Sequence, residues 1–155
     1  MSDTEFFTVE YRRKGESISE ELDAKIPGSG LIIYRVDTKK QELGNIAGDE
    51  YLYVFRPENR DDVSESFLSK NVGRTSFGTS DWIRGIKDNA VTYSDGTNSG
   101  IVIDQVGEAA DSVTFQIIKN YRCGTGLLQR RVQADMILSL LRMGLLIAVM
   151  VWGSF

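Results

Sequence analysis

Between the turn signal Pro27-Gly28-Ser29-Gly30 and Asp37 lies a nearly unbroken apolar run, Leu31 to Val36, reading LIIYRV. A strand with one solvated face alternates apolar and polar side chains, whereas a short continuous run closed by turn residues fits a strand covered on both faces. Such a strand needs a layer above it and a layer below it. This stretch therefore commits the chain to a layered, β-rich core. The neighbouring runs agree. Glu5 to Arg13 (EFFTVEYRR) is dominated by aromatic and β-branched residues, which favour strands, and Tyr51 to Phe55 (YLYVF) is closed by Arg56-Pro57. Ile101 to Val106 and Ser112 to Ile118 form a predicted hairpin across Gly107–Asp111. In its second arm Val113, Phe115 and Ile117 alternate with Ser112, Thr114 and Gln116, the pattern of a half-buried strand.

Polar segments separate these runs. Residues 14–29 and 37–50 read as loops, the latter with Gly44 and Gly48. Residues 58–73 are charged and Ser-rich and read as a long surface excursion with one helical turn. Residues 74–100 suit loops with short strands, marked by the turn dipeptides Asp95-Gly96 and Ser99-Gly100. The expected architecture over residues 1–120 is an antiparallel, sandwich-like β body, mainly β in class.

The character changes near Tyr121. Leu128, Val132, Met136 and Leu140 recur every four residues, thickened by Leu127, Ile137 and Leu141, which predicts a C-terminal helix from about residue 127. Met143 to Trp152 (MGLLIAVMVW) is wholly apolar. Three readings of the segment 121–155 stay open. It can be a membrane helix over 136–155, although about twenty apolar residues are needed to span a bilayer and Arg142 interrupts them. It can be a packed C-terminal helix. Or it can be a tail that is not the natural continuation of the body.

Charge and composition narrow the chemistry. The net charge is −4, from 18 Lys/Arg against 22 Asp/Glu. Residues 1–120 hold 14 Lys/Arg against 21 Asp/Glu, a net of −7, and residues 121–155 hold four Arg against one Asp, a net of +3. An acidic body argues against nucleic acid as a partner, because phosphate backbones need a cationic surface. The chain has no histidine. That removes an H-E-x-x-H zinc site, a Ser–His–Asp triad and a Cys–His dyad together. Cys123 is the lone cysteine, so neither an internal disulfide nor a thiolate metal cluster can form. The first residues, Met1-Ser-Asp-Thr-Glu, lack the apolar stretch of a signal peptide.

A few residues invite a role. Asp37, Asp95, Asp104 and Asp111 fall at predicted strand ends and turns, where carboxylates can bind calcium or simply cap turns. Glu10 and Arg12 share one face of the first strand, either as a pair lining a cleft wall or as a solvated face. Arg35 sits inside the apolar run. If buried it needs a carboxylate, with Asp37 or Glu10 as candidates, and otherwise it snorkels to water. Gly28 and Gly30 let two strands meet closely. Trp82 and Tyr93 are candidate contacts of a binding surface or ordinary packing residues.

One stretch resembles a known family. The run FTVEYRRKGESISEELDAKIPGSGLIIYRVD (Phe7–Asp37) is similar to the region downstream of the zinc site in immune inhibitor A-like metallopeptidases. The similarity continues in order through Gly44–Ile46 (GNI), Tyr53–Pro57 (YVFRP), Val72–Gly78 (VGRTSFG), Tyr93–Gly107 (YSDGTNSGIVIDQVG) and Asp111–Ile117 (DSVTFQI). It covers roughly residues 5–118 and has no counterpart in 121–155. The resemblance implies a secreted bacterial zinc endopeptidase whose H-E-x-x-H helix lies upstream of these blocks, in a catalytic domain that would be this portion's partner. Zinc and the peptide or protein substrate would belong to the full-length protein. No catalytic residue carries over, so this chain should be inactive alone. The rival expectations are a secreted β-sandwich module binding protein or carbohydrate, and a membrane-anchored interaction protein using 136–155.

Overall fold

The computed structural model describes residues 4–15, 25–42, 44–46, 49–56, 66–72, 75, 91–123, 126–137 and 149–151. Nine strands are described: β1 (Glu5–Arg12), β2 (Gly30–Asp37), β3 (Asn45–Ile46), β4 (Asp49–Glu50), β5 (Leu52–Val54), β6 (Ile101–Asp104), β7 (Ser112–Cys123), β8 (Gly126–Ile137) and β9 (Val149–Val151). Every pairing among them is antiparallel. The fold is mainly β, in two principal sheets ordered β5-β2-β1-β9 and β6-β7-β8, with the β3–β4 pair standing apart.

The apolar run becomes β2, and both of its faces are buried: Leu31 and Ile33 on one side, Ile32 and Val36 on the other. β1 pairs with it along its whole length, from Glu5↔Asp37 to Arg12↔Gly30. Cross-strand partners share a face, so Phe7, Val9 and Tyr11 lie with Leu31, Ile33 and Arg35. The apolar ones among these, Phe7, Val9, Tyr11, Leu31 and Ile33, join Ile101, Ile103, Val113, Phe115 and Ile117 in one core cluster, which seals the first sheet against the second. In β7 the expected alternation holds, with Val113 and Phe115 buried and Ser112 and Thr114 exposed. Burying one such Phe, Ile or Val is worth about 1.5–3 kcal/mol, so the seam between the sheets carries much of the stability.

The turn before β2 is shaped by a close approach. Leu31 and Leu68 exchange backbone hydrogen bonds of 2.9 Å in both directions. Gly30 has φ of +143°, and a Cβ there would stand 2.4 Å from the Leu68 carbonyl oxygen. At Gly28 a Cβ would press on the Phe67 ring at 3.3 Å. Only glycine lets segment 66–69 lie so close. That segment corrects one expectation. Residues 58–73 read as a surface excursion, yet Ser66, Phe67, Leu68 and Ser69 are buried, because the apolar Phe67-Leu68 pair plugs the end of the core. Within that segment Lys70–Val72 form a short helical turn of 3-10 type. The loop read at 37–50 also contains more order than its polarity suggested, namely a 3-10 turn at Thr38–Lys40 and the β3–β4 pair.

The largest departure is at the C-terminal side. A helix is expected from about residue 127, and the structure places a strand, β8, over Gly126–Ile137. The reason lies in the spacing. Leu128, Val132 and Met136 are four apart, which approximates one helical turn but is also twice the strand period. A period of four fits either element, and pairing with β7 decides it. That ladder runs without a bulge from Cys123↔Gly126 to Ser112↔Ile137. β7 itself continues past residue 120, so the shift in composition at Tyr121 falls inside a strand. In the apolar tail, Val149–Val151 add to the edge of β1, opposite Phe7–Val9. The rest of 138–155 lies outside the described residues. Among the described residues no helix is long and apolar enough to cross a membrane.

Candidate functional site

Alternation along β1 and β2 sorts the candidate residues onto two faces. Even-numbered positions Glu10, Arg12 and Tyr34 fall on the outer face, and odd-numbered Glu5, Arg35 and Asp37 on the core face. Glu10 is 9% exposed. Its carboxylate accepts from Arg12 Nε at 2.6 Å and from the Tyr34 hydroxyl at 2.7 Å. A buried carboxylate is costly unless its oxygens are filled, and here both are. Burial first, and then the Glu10 hydrogen bond, push the Tyr34 phenol well above its ordinary range. The Glu10–Arg12 pair is thus a packed network rather than a solvated face. Sequence reasoning missed Tyr34 as its third member, although counting strand register from the PGSG turn would have placed it there.

Arg35 is 8% exposed, so it does not snorkel to water. Neither carboxylate candidate meets it. Glu10 is on the opposite face, and Asp37 is engaged elsewhere. The guanidinium instead stacks 4.7 Å from the centroid of the Tyr53 ring, its cross-strand neighbour, and reaches the Thr92 carbonyl at 3.4 Å. A cation over an aromatic face is stabilised by the ring quadrupole, which replaces the expected ion pair. Arg35 Nε is buried without a hydrogen-bond partner among the described residues.

Where the core face of β1 and β2 ends, a polar cleft of about 420 Å³ opens between Glu5, Asp37 and Lys39 on one side and Tyr93, Ser94, Asp95 and Thr97 on the other. The turn of residues 93–97 is tied down by the Glu5 carboxylate, which accepts from the Ser94 amide at 3.1 Å and from its hydroxyl. Asp95 Oδ1 accepts from Thr97 N at 2.8 Å and Oγ1 at 2.6 Å, and these bonds hold its carboxyl below the usual range. Asp37 Oδ1 caps the following 3-10 turn by accepting from Lys39 N at 3.1 Å. Tyr93 stacks on Phe7 with ring centroids 5.3 Å apart, so it is a packing residue that also lines the cleft. Burial raises its phenol pKa, with the nearby Glu5 charge adding to the effect.

Of the four calcium candidates, this cleft brings together Asp37 and Asp95 alone. Asp104 caps its own turn by accepting from Gln105 N at 2.8 Å, and Asp111 pairs with Arg13 at 2.7 Å. Every one of the four already serves a local hydrogen bond or ion pair. Among the described residues no group of three or more His, Cys, Asp or Glu side chains is placed to hold a metal ion. Zinc finds no fit in a chain without histidine and with one cysteine. Trp82 lies outside the described residues. No protein-family model, curated protein or solved structure matches the chain.

Proposed function

We propose that this chain is a non-catalytic β module that positions protein or peptide substrate beside a separate catalytic domain, as in the downstream part of a secreted immune inhibitor A-like zinc metallopeptidase. The observation that carries the reading is the coincidence of the resembling blocks with the core elements. VEYR lies in β1, LIIYRVD in β2, YVF at β5, IVID in β6 and SVTFQI in β7. These five stretches of the blocks are thus residues that build the scaffold, the part of such a protein that needs no zinc ligand. The chain's share of the chemistry is support, and zinc and the general base would come from the catalytic domain upstream. The test is the encoding DNA. An in-frame H-E-x-x-H upstream of codon 1 is the expected result, and a clean start with no such motif overturns the reading.

The polar cleft favours a second reading, a module that binds protein or carbohydrate without chemistry. Tyr93 supplies an aromatic wall there, and Lys39, Asp37 and Asp95 supply polar groups, the mixture small binding sites use. Glycan-array or peptide binding that Tyr93→Ala abolishes would favour this reading over the first.

A further inference from the structure

The second sheet ends on β8, and among the described residues nothing pairs with its outer edge. This edge is long, Gly126–Ile137, and its ladder with β7 has no bulge. β8 contains no Pro and no Lys, two of the devices that blunt exposed edges. The side chains at 131, 132 and 133 are all exposed, so the middle of the strand is open on both faces. Val132 alone is 47% exposed. Support from the other side is also partial, because β6 reaches β7 only from Gln116 to Lys119. Past Asn120, whose amide bonds to the Gly100 carbonyl, the described part of the β7–β8 pair is a two-stranded ribbon, an arrangement that is marginal in water without a further strand. The chain's own last strand does not supply one, since β9 is on β1.

We propose that the β8 edge pairs with β8 of a second copy of this chain, antiparallel about a two-fold axis, giving a continuous six-stranded sheet. The occupant is chosen by charge. A symmetric strand pair must be self-complementary, with residue i facing j and j facing i. The register with Gln133 on the axis sets Arg131 of each copy opposite Asp135 of the other, and Val132 opposite Ala134. Opposite charges directly across a strand pair are favourable, and like charges are not. In the same register Arg130 faces Met136, so no two arginines meet.

Sedimentation velocity on the full chain at about 100 µM tests this, a range where weak but specific contacts register. The wild type is expected at twice the mass of the chain. Arg131→Glu places like charges across the axis and is expected to give monomer. The double variant Arg131→Glu/Asp135→Arg restores the complement and the dimer. Arg131 also interacts within its own chain, so circular dichroism accompanies each variant. A wild-type monomer, a dimeric Arg131→Glu, or a folded double variant that stays monomeric overturns the proposal. Should Arg131→Glu fail to fold, hydrogen exchange on the wild type decides. Protection of residues 129–137 that rises with concentration supports the pairing, and protection independent of concentration overturns it.

Discussion

β2 and β8 are both strands in antiparallel ladders, yet they occupy opposite environments. β2 has neighbours on both edges and burial on both faces. β8 has one described neighbour, and residues 131–133 at its middle are exposed whichever face they lie on. Backbone pairing is thus common to both, and side-chain burial separates them. A strand sealed on four sides tolerates little change, whereas an open one can vary and is free to recruit a partner.

The heaviest blow to the sealed side should come through the seam. Phe115→Ala empties a fully buried site on β7 that faces β1 and β2, and about 3–5 kcal/mol of stability should be lost in urea unfolding. Gly30→Ala comes next. A Cβ 2.4 Å from a backbone oxygen, at a φ that L-residues avoid, should cost about 3 kcal/mol by the same measurement, and a loss under about 1 kcal/mol would mean that segment 66–69 is not held where the structure has it.

A third probe is alkaline pH. The Tyr34 phenol is raised above its ordinary value of 10.0, so the folded state keeps this proton longer than the unfolded chain does. That contribution is complete below about pH 10 and disappears as pH rises through the higher folded value. Tyr11 and Tyr93 are raised as well, chiefly by burial, and act in the same direction. Unfolding midpoints should therefore fall above pH 10. Tyr34→Phe should be less stable than wild type at pH 8 and should show a shallower alkaline decline. Equal slopes for the two proteins would remove Tyr34 from the account.

The open side should barely respond. Val132→Thr is expected to change stability by less than about 0.5 kcal/mol in dilute solution, as surface changes do. The smallest effect is expected from calcium. Asp37 and Asp95 already accept hydrogen bonds, so 1 mM calcium should move the thermal midpoint by less than about 2 °C. A larger rise would show that those carboxylates release their partners for a cation.

The contrast between β2 and β8 also marks how far the sequence could be read. β1, β2, β6 and the buried half of β7 were legible because burial leaves a period of two or an unbroken apolar run. β8 was not, because its spacing of four serves both periods and its partner lies in the same ambiguous region. Burial of segment 66–69 was hidden by its serines. The polar site was legible only in pieces. Asp37 and Asp95 were identified singly, but nothing in the local sequence says that turn 93–97 lands beside the end of β2. Arg35 was expected to meet a carboxylate if buried, and it meets instead an aromatic ring on the adjacent strand, a type of contact that a search among carboxylates passes over.

The pairing of β9 with β1 has a consequence in time. The two paired segments, Phe7–Val9 and Val149–Val151, are separated by most of the sequence, so one is made well before the other. At a synthesis rate of about 5–20 residues per second, the edge of β1 stands without this neighbour for on the order of 10 s. Closing so long a separation is also slow in refolding, since contacts distant along the chain are the ones that delay folding. A nascent chain would thus expose this flank of β1 until Val149–Val151 emerge, and that interval is when it would depend most on a chaperone.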